Sequence, residues 1–196
     1  MPLKAFISGV FVKFITGFDD TMVHVPVIAN LTKTKKGRIS FAIGIFLAIS
    51  LAVFLSFTLA SLIKTLPYFR YLSSGLILAL AVVIYFDVLT SNPRHKAEKK
   101  LKKMKGFRVE RALKLIALGF ITAIATVIDD TIAYSSVFLT ELSFAPYAIA
   151  GIFMATIIEL LAVIYFSKKI QNIPYKKQIT TIGLIILALL IFAGIL

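Results

Sequence analysis

The chain has 196 residues, 59% of them hydrophobic, and a mean hydropathy of +0.95, which is too apolar for a soluble domain of this length and places it among polytopic membrane proteins. The absence of cysteine excludes disulfides, zinc–thiolate and iron–sulfur sites, and any thiol-based redox carrier. A net charge of +13 would suit nucleic acid, but the Lys and Arg residues crowd between apolar runs, as in membrane topology signals.

The first apolar run, 5–31, lacks the small-residue cleavage site of a signal peptide and reads as a retained helix. It carries Asp19 and Asp20 about halfway along, and Thr16, Asp19 and Asp20 share one helical face. A charge at bilayer depth costs from about 2.5 to 17 kcal/mol, depending on the scale, so this face must look into the bundle or a water-filled cavity. Lys13 is the nearest basic residue and is expected nearer the outer end of the helix, which would leave the acids without a neutralising partner. Gly17 offers a place for the helix to unwind and expose carbonyls. Pro26 either breaks the helix or ends it early, and the sequence leaves both open. His24, one turn past Asp20, suits a softer metal or a proton relay, and equally a satisfied buried polar residue. Met22 reads as packing.

Further runs at 40–63 and 71–90 complete a first set of three spans. Asp87, near the end of the third, is expected to snorkel toward water or the basic stretch that follows. That stretch, 94–114, has Ala97, Leu101 and Met104 at helical spacing, so it could lie on an anionic inner leaflet; a solvated linker that fixes topology is the reading preferred. It lacks interleaved aromatics, which argues against nucleic acid. The fourth run, 113–139, again carries Thr126, Asp129 and Asp130 on one face. The fifth, 146–167, contains Glu159, a candidate fifth ligand or proton acceptor, or else a buried acid paired with a threonine such as Thr156; Met154 reads as packing. The sixth is 178–196.

Loops one, three and five hold four, ten and four Lys or Arg residues, against two and none in loops two and four. The positive-inside rule therefore puts the odd loops in the cytoplasm and both termini outside. A shift of 110 positions lays Thr16, Asp19, Asp20 and Thr21 on Thr126, Asp129, Asp130 and Thr131, and His24 on Tyr134. "AIGIFLA" from Ala42 resembles "AGIFMA" from Ala150, and "SSGLILAL" from Ser73 pairs loosely with "TIGLIILAL" from Thr181. Glu159 falls opposite Ala52, so it is not repeated. The expected architecture is an all-α polytopic membrane protein of six transmembrane helices, in two inverted-topology three-helix repeats. These are 1–91 and 113–196, joined by the basic linker 92–112.

Clustered carboxylates without a cation cannot all stay ionised; they take up protons or bind a metal, and a site that exchanges the two couples their movements. Carboxylate, hydroxyl and carbonyl oxygens suit hard divalent cations. The segments "ITGFDDTMV" and "IATVIDDTIAY" resemble the Asp-containing motifs in the first and fourth spans of the lysine-exporter (LysE) superfamily of small carriers. Within it, the cadmium-resistance, manganese-exporter and TerC-like branches are the similar ones. The resemblance implies an inner-membrane exporter of divalent cations (Mn²⁺, Cd²⁺ or Ca²⁺), with Asp19, Asp20, Asp129 and Asp130 as metal ligands. The lack of any thiolate ligand argues against cadmium. A carrier coupled to protons is thus expected, not an enzyme, with no cofactor beyond the transported ion; Thr16, Thr126, Glu159 and His24 are the additional site or proton-coupling candidates. The alternatives are an exporter of a small organic cation such as a basic amino acid, and a non-transporting scaffold with structural aspartates. A channel fits less well, since clustered midplane carboxylates would hold their ion. Frequent Gly and Ala in the spans leave a homodimer open.

Overall fold

The computed structural model describes residues 1–31, 34–65, 68–85, 108–124, 126–140, 142–171 and 176–193; between residues 18 and 31, His24 alone has a described side chain. Among the described residues the chain is helical throughout, without strands. Its helices are α1 (Pro2–Leu31), α2 (Lys35–Ile63), α3 (Phe69–Tyr85), α4 (Arg108–Ile124), α5 (Val127–Thr140), α6 (Ala145–Gln171) and α7 (Lys176–Phe192), with a short 3₁₀ turn (Leu142–Phe144) before α6. Asp87 and most of the basic linker, with Ala97, Leu101 and Met104, lie outside the described residues.

Local chemistry sets several boundaries. α2 starts five residues ahead of the expected 40 because Thr34, in an extended conformation, caps it: the Gly37 N–H donates to the Thr34 hydroxyl at 3.2 Å. α1 runs unbroken through Gly17 and Pro26, although a proline removes one rung of the helix ladder, so neither residue opens the first helix. The break comes in the other aspartate segment. α4 and α5 meet at 63° instead of forming one straight span. Ahead of the bend, the Thr122 hydroxyl donates to the carbonyls of Leu118 (2.8 Å) and Gly119 (3.0 Å), and the Thr126 hydroxyl to that of Ala123 (2.9 Å). The Thr126 N–H also reaches back three residues, to Ala123 at 2.9 Å. Such local bonds compete with the regular ladder and bend helices. α6 kinks at Phe166, two residues past Ile164, whose carbonyl accepts a 2.7 Å bond from the Arg38 guanidinium.

Lys35–Ile63 and Leu142–Phe166 are long and apolar enough to cross a membrane, and Ala112–Ile124 with Val127–Leu139 makes a third such unit if the bent pair counts as one. At about 1.5 Å per residue, the 29 residues of α2 exceed a hydrocarbon core of about 30 Å. The surface agrees. Phe54 is 68% exposed, Leu62 65% and Ile128 59%, while Lys13, Asp130, Ser135 and Ser136 are buried. Such apolar patches outside and ions inside are the reverse of a soluble fold. Met154, read as packing, is part of that outward surface; the side chain of Met22 lies outside the described residues.

Helices pack mainly across the chain. α1 lies along α6, α2 along α4 and α5, and α3 along α7, with lesser contacts of α1 with α5 and α7 and of α3 with α5. Two seams are close enough to need glycine. A Cβ at Gly9 would stand 2.1 Å from the Ala148 carbonyl oxygen, and one at Gly151 2.3 Å from that of Phe6. At the other seam, Gly44 and Gly119 would meet the carbonyls of Ile116 and Phe41 at 2.0 and 2.1 Å. Backbone-to-backbone approach of this kind replaces the hydrophobic drive that lipid removes.

Candidate cation site

α1 meets α5 and α6 in the interior, and the ionisable residues gather there. α1 contributes Lys13, Thr16 and Gly17 on one face, because positions three and four apart are neighbours. α5 contributes Asp129 and Asp130 in its first turn, beside the positive end of its helix dipole, which favours carboxylates. α6 contributes Glu159.

Lys13 is the centre of the cluster. It is fully buried, and its Nζ lies 3.3 Å from Glu159 Oε2 and 3.9 Å from Asp130 Oδ2. The first distance is that of a direct charge-assisted contact; the second exceeds a hydrogen bond. The acids therefore have a cation at their own depth, which corrects the placing of Lys13 toward the outer end of its helix. The position of Glu159 depends on Gly17: a Cβ there would stand 2.6 Å from Glu159 Oε2. Gly17 thus makes room for a carboxylate. It does not unwind the helix.

Asp129 and Asp130 are both buried. Asp19 and Asp20 lie midway along α1, and their side chains fall outside the described residues. Thr16 and Thr126 are buried and act alike, each hydroxyl donating to the carbonyl three residues back, at 3.4 Å for Thr16 and 2.9 Å for Thr126. Thr156 donates to Ile152 at 2.8 Å, so the described partner of Glu159 is Lys13 and not that threonine. His24 is buried with its ring edge-on to Phe41, centroids 6.4 Å apart, and Tyr134 is buried on α5.

Among the described residues, the Lys13 ammonium lies within ion-pair reach of two carboxylates, those of Glu159 and Asp130, and Asp129 is buried next to Asp130 in the sequence. Within the same residues no three His, Asp or Glu side chains form a metal-sized group. Buried charges are tolerated when paired, as Lys13 is with Glu159 and Asp130. Sequence reasoning missed Lys13, although a signal was available. Counted from Pro2, Lys13 is about 17 Å along the roughly 45 Å of α1, well inside the helix and not at its end. Comparison with protein-family models, with curated proteins and with solved structures gives no match.

Proposed function

We propose that this chain is a secondary transporter that exports divalent cations across the cytoplasmic membrane in exchange for protons, through the cluster where α1, α5 and α6 meet. The observation that carries the reading is the cluster of buried Lys13, Asp129 and Asp130 with half-buried Glu159, in a bundle that exposes large apolar side chains. A surplus of carboxylate over ammonium in a dry interior needs a mobile positive charge, and alternate occupancy by metal and protons supplies one. Oxygen ligands from Asp129, Asp130, Glu159 and, on the sequence pattern, Asp19 and Asp20 suit a hard ion such as Mn²⁺.

The six-span architecture of two inverted repeats belongs to the same proposal and has independent support. The offset that relates the Asp motifs carries Gly9 onto Gly119 and Phe6 onto Ile116, and the smaller offset of the second spans carries Gly44 onto Gly151 and Phe41 onto Ala148. Under these offsets the close contact of Gly9 with Ala148 becomes that of Gly119 with Phe41, and Gly151 with Phe6 becomes Gly44 with Ile116. Because α1 lies on α6 and α2 on α4 and α5, the rigid bodies of alternating access would each combine helices from both repeats.

A second reading, export of a small organic ammonium, is favoured by Lys13 itself, whose primary ammonium already sits against Glu159 and Asp130. The test is uptake of divalent cations, and separately of basic amino acids, into proteoliposomes containing a pH dye. The parent is compared with the double variant Asp20→Asn/Asp130→Asn. Metal flux with opposing proton flux, lost in a variant that still folds, is the expected result; flux of organic cations alone would select the second reading. No flux of either class under either pH gradient would sink both.

A further inference from the structure

We infer that Lys13 is a tethered stand-in for the transported cation: its ammonium holds the Asp130 and Glu159 carboxylates when no substrate is bound, and a cation enters by displacing it. This rests on the transport reading above and specifies how the empty site is stabilised. Three observations carry it.

The first is placement. Nζ lies against two of the carboxylates that the transport reading assigns to the cation, at 3.3 Å from Glu159 and 3.9 Å from Asp130, on a fully buried side chain. The second is that the grip is partial. The Asp130 contact is longer than a hydrogen bond, and a lysine offers a point charge on a flexible stem without the planar fork that clamps a carboxylate. The third is asymmetry. The repeat offset puts Ala123 opposite Lys13 and Ala52 opposite Glu159, so one ammonium and its closest acid occur once, beside acids that occur twice. Gly17 completes the arrangement by clearing the space that Glu159 occupies beside α1.

The physical need is plain. Between release of the metal and uptake of protons the site of such an exchanger is empty, and uncompensated buried carboxylates would then be costly. An internal ammonium removes that cost and sets a threshold that an incoming ion must overcome, which makes Lys13 a determinant of affinity.

The experiment is equilibrium binding of Mn²⁺ to the full-length protein in lipid nanodiscs, with the free ion followed by its paramagnetic resonance signal. Lys13→Gln removes the competitor and should bind Mn²⁺ about tenfold more tightly or better, the effect of ~1.4 kcal/mol. Lys13→Arg keeps the charge but grips carboxylates bidentately, and should bind about tenfold more weakly. A purely structural lysine would not move the two variants in opposite directions. Unchanged or weaker binding by a monodisperse Lys13→Gln protein overturns the inference. Should that variant fail to fold, Lys13→Arg decides, and unchanged or tighter binding there overturns it equally. Binding that Asp130→Asn abolishes but that ignores Lys13 defeats this inference and leaves the transport reading standing. No Mn²⁺ binding by any form defeats the divalent reading and the inference together.

Discussion

Residues 16–21 read Thr-Gly-Phe-Asp-Asp-Thr and residues 126–131 read Thr-Val-Ile-Asp-Asp-Thr, yet α1 passes straight through the first while α4 and α5 meet at 63° just before the second. The straight segment holds the glycine and a downstream proline; the bent one has neither within its motif. Helix-breaking residues are therefore a poor guide here. Gly17 is used for the space it leaves, filled by the Glu159 carboxylate, and the bend arises where Thr122 and Thr126 bond back to their own carbonyls. The bend sets Asp129 and Asp130 into the first turn of a new helix, where free N–H groups and the dipole favour negative charge. About one turn ahead of the straight segment, α1 supplies Lys13, whose ammonium lies 3.9 Å from Asp130 of the bent one.

The largest expected effect tests whether the two segments share one site. Asp130→Asn removes a carboxylate that the proposed site offers its cation, and Mn²⁺ transport in proteoliposomes should fall about a hundredfold, the effect of ~2.8 kcal/mol of lost affinity. Asp20→Asn should match that loss if the site is common to both segments; near-parental transport would confine the site to the bent one.

A smaller effect compares the two glycine seams. Gly9→Ala forces α1 away from α6, and Gly44→Ala forces α2 away from α4, since each new Cβ would meet a backbone carbonyl that cannot turn aside. Overpacking of this kind costs about 1–3 kcal/mol, and thermal unfolding in detergent should show similar losses for both. A marked inequality would mean that the two seams do not bear equal load.

The smallest effect concerns the bend itself. Thr126→Val removes a 2.9 Å hydrogen bond next to the break and should cost about 0.5–1.5 kcal/mol in the same melts. Thr16→Val removes a 3.4 Å contact on an intact helix and should cost less. Equal effects would show that the threonine does not shape the bend.

Several features were legible without coordinates. The apolar runs at 40–63 and 146–167 became α2 and α6, because burial in lipid demands unbroken apolar helices and leaves few other solutions. The burial of Asp129 and Asp130 followed from the cost of exposing charge to hydrocarbon, and both are buried, while Glu159 is half-buried. Lys13 was misjudged because its neighbours are set by how α1 packs on α5 and α6, which the position of Lys13 along α1 does not reveal. The partner of Glu159 was also hidden, since pairing between α6 and α1 depends on helices 146 positions apart in the chain coming together, which no local pattern encodes.

By itself the sequence determined an apolar, helical, cysteine-free chain with acids forced inward, because composition and the expense of buried charge admit little else. Only the tertiary structure decided which acid meets which base, that the bend falls in the second aspartate segment, and that α1 pairs with α6. Those outcomes depend on close backbone contacts such as Gly9 against Ala148 and Gly44 against Ile116, where the absence of one side chain sets how near two helices can lie.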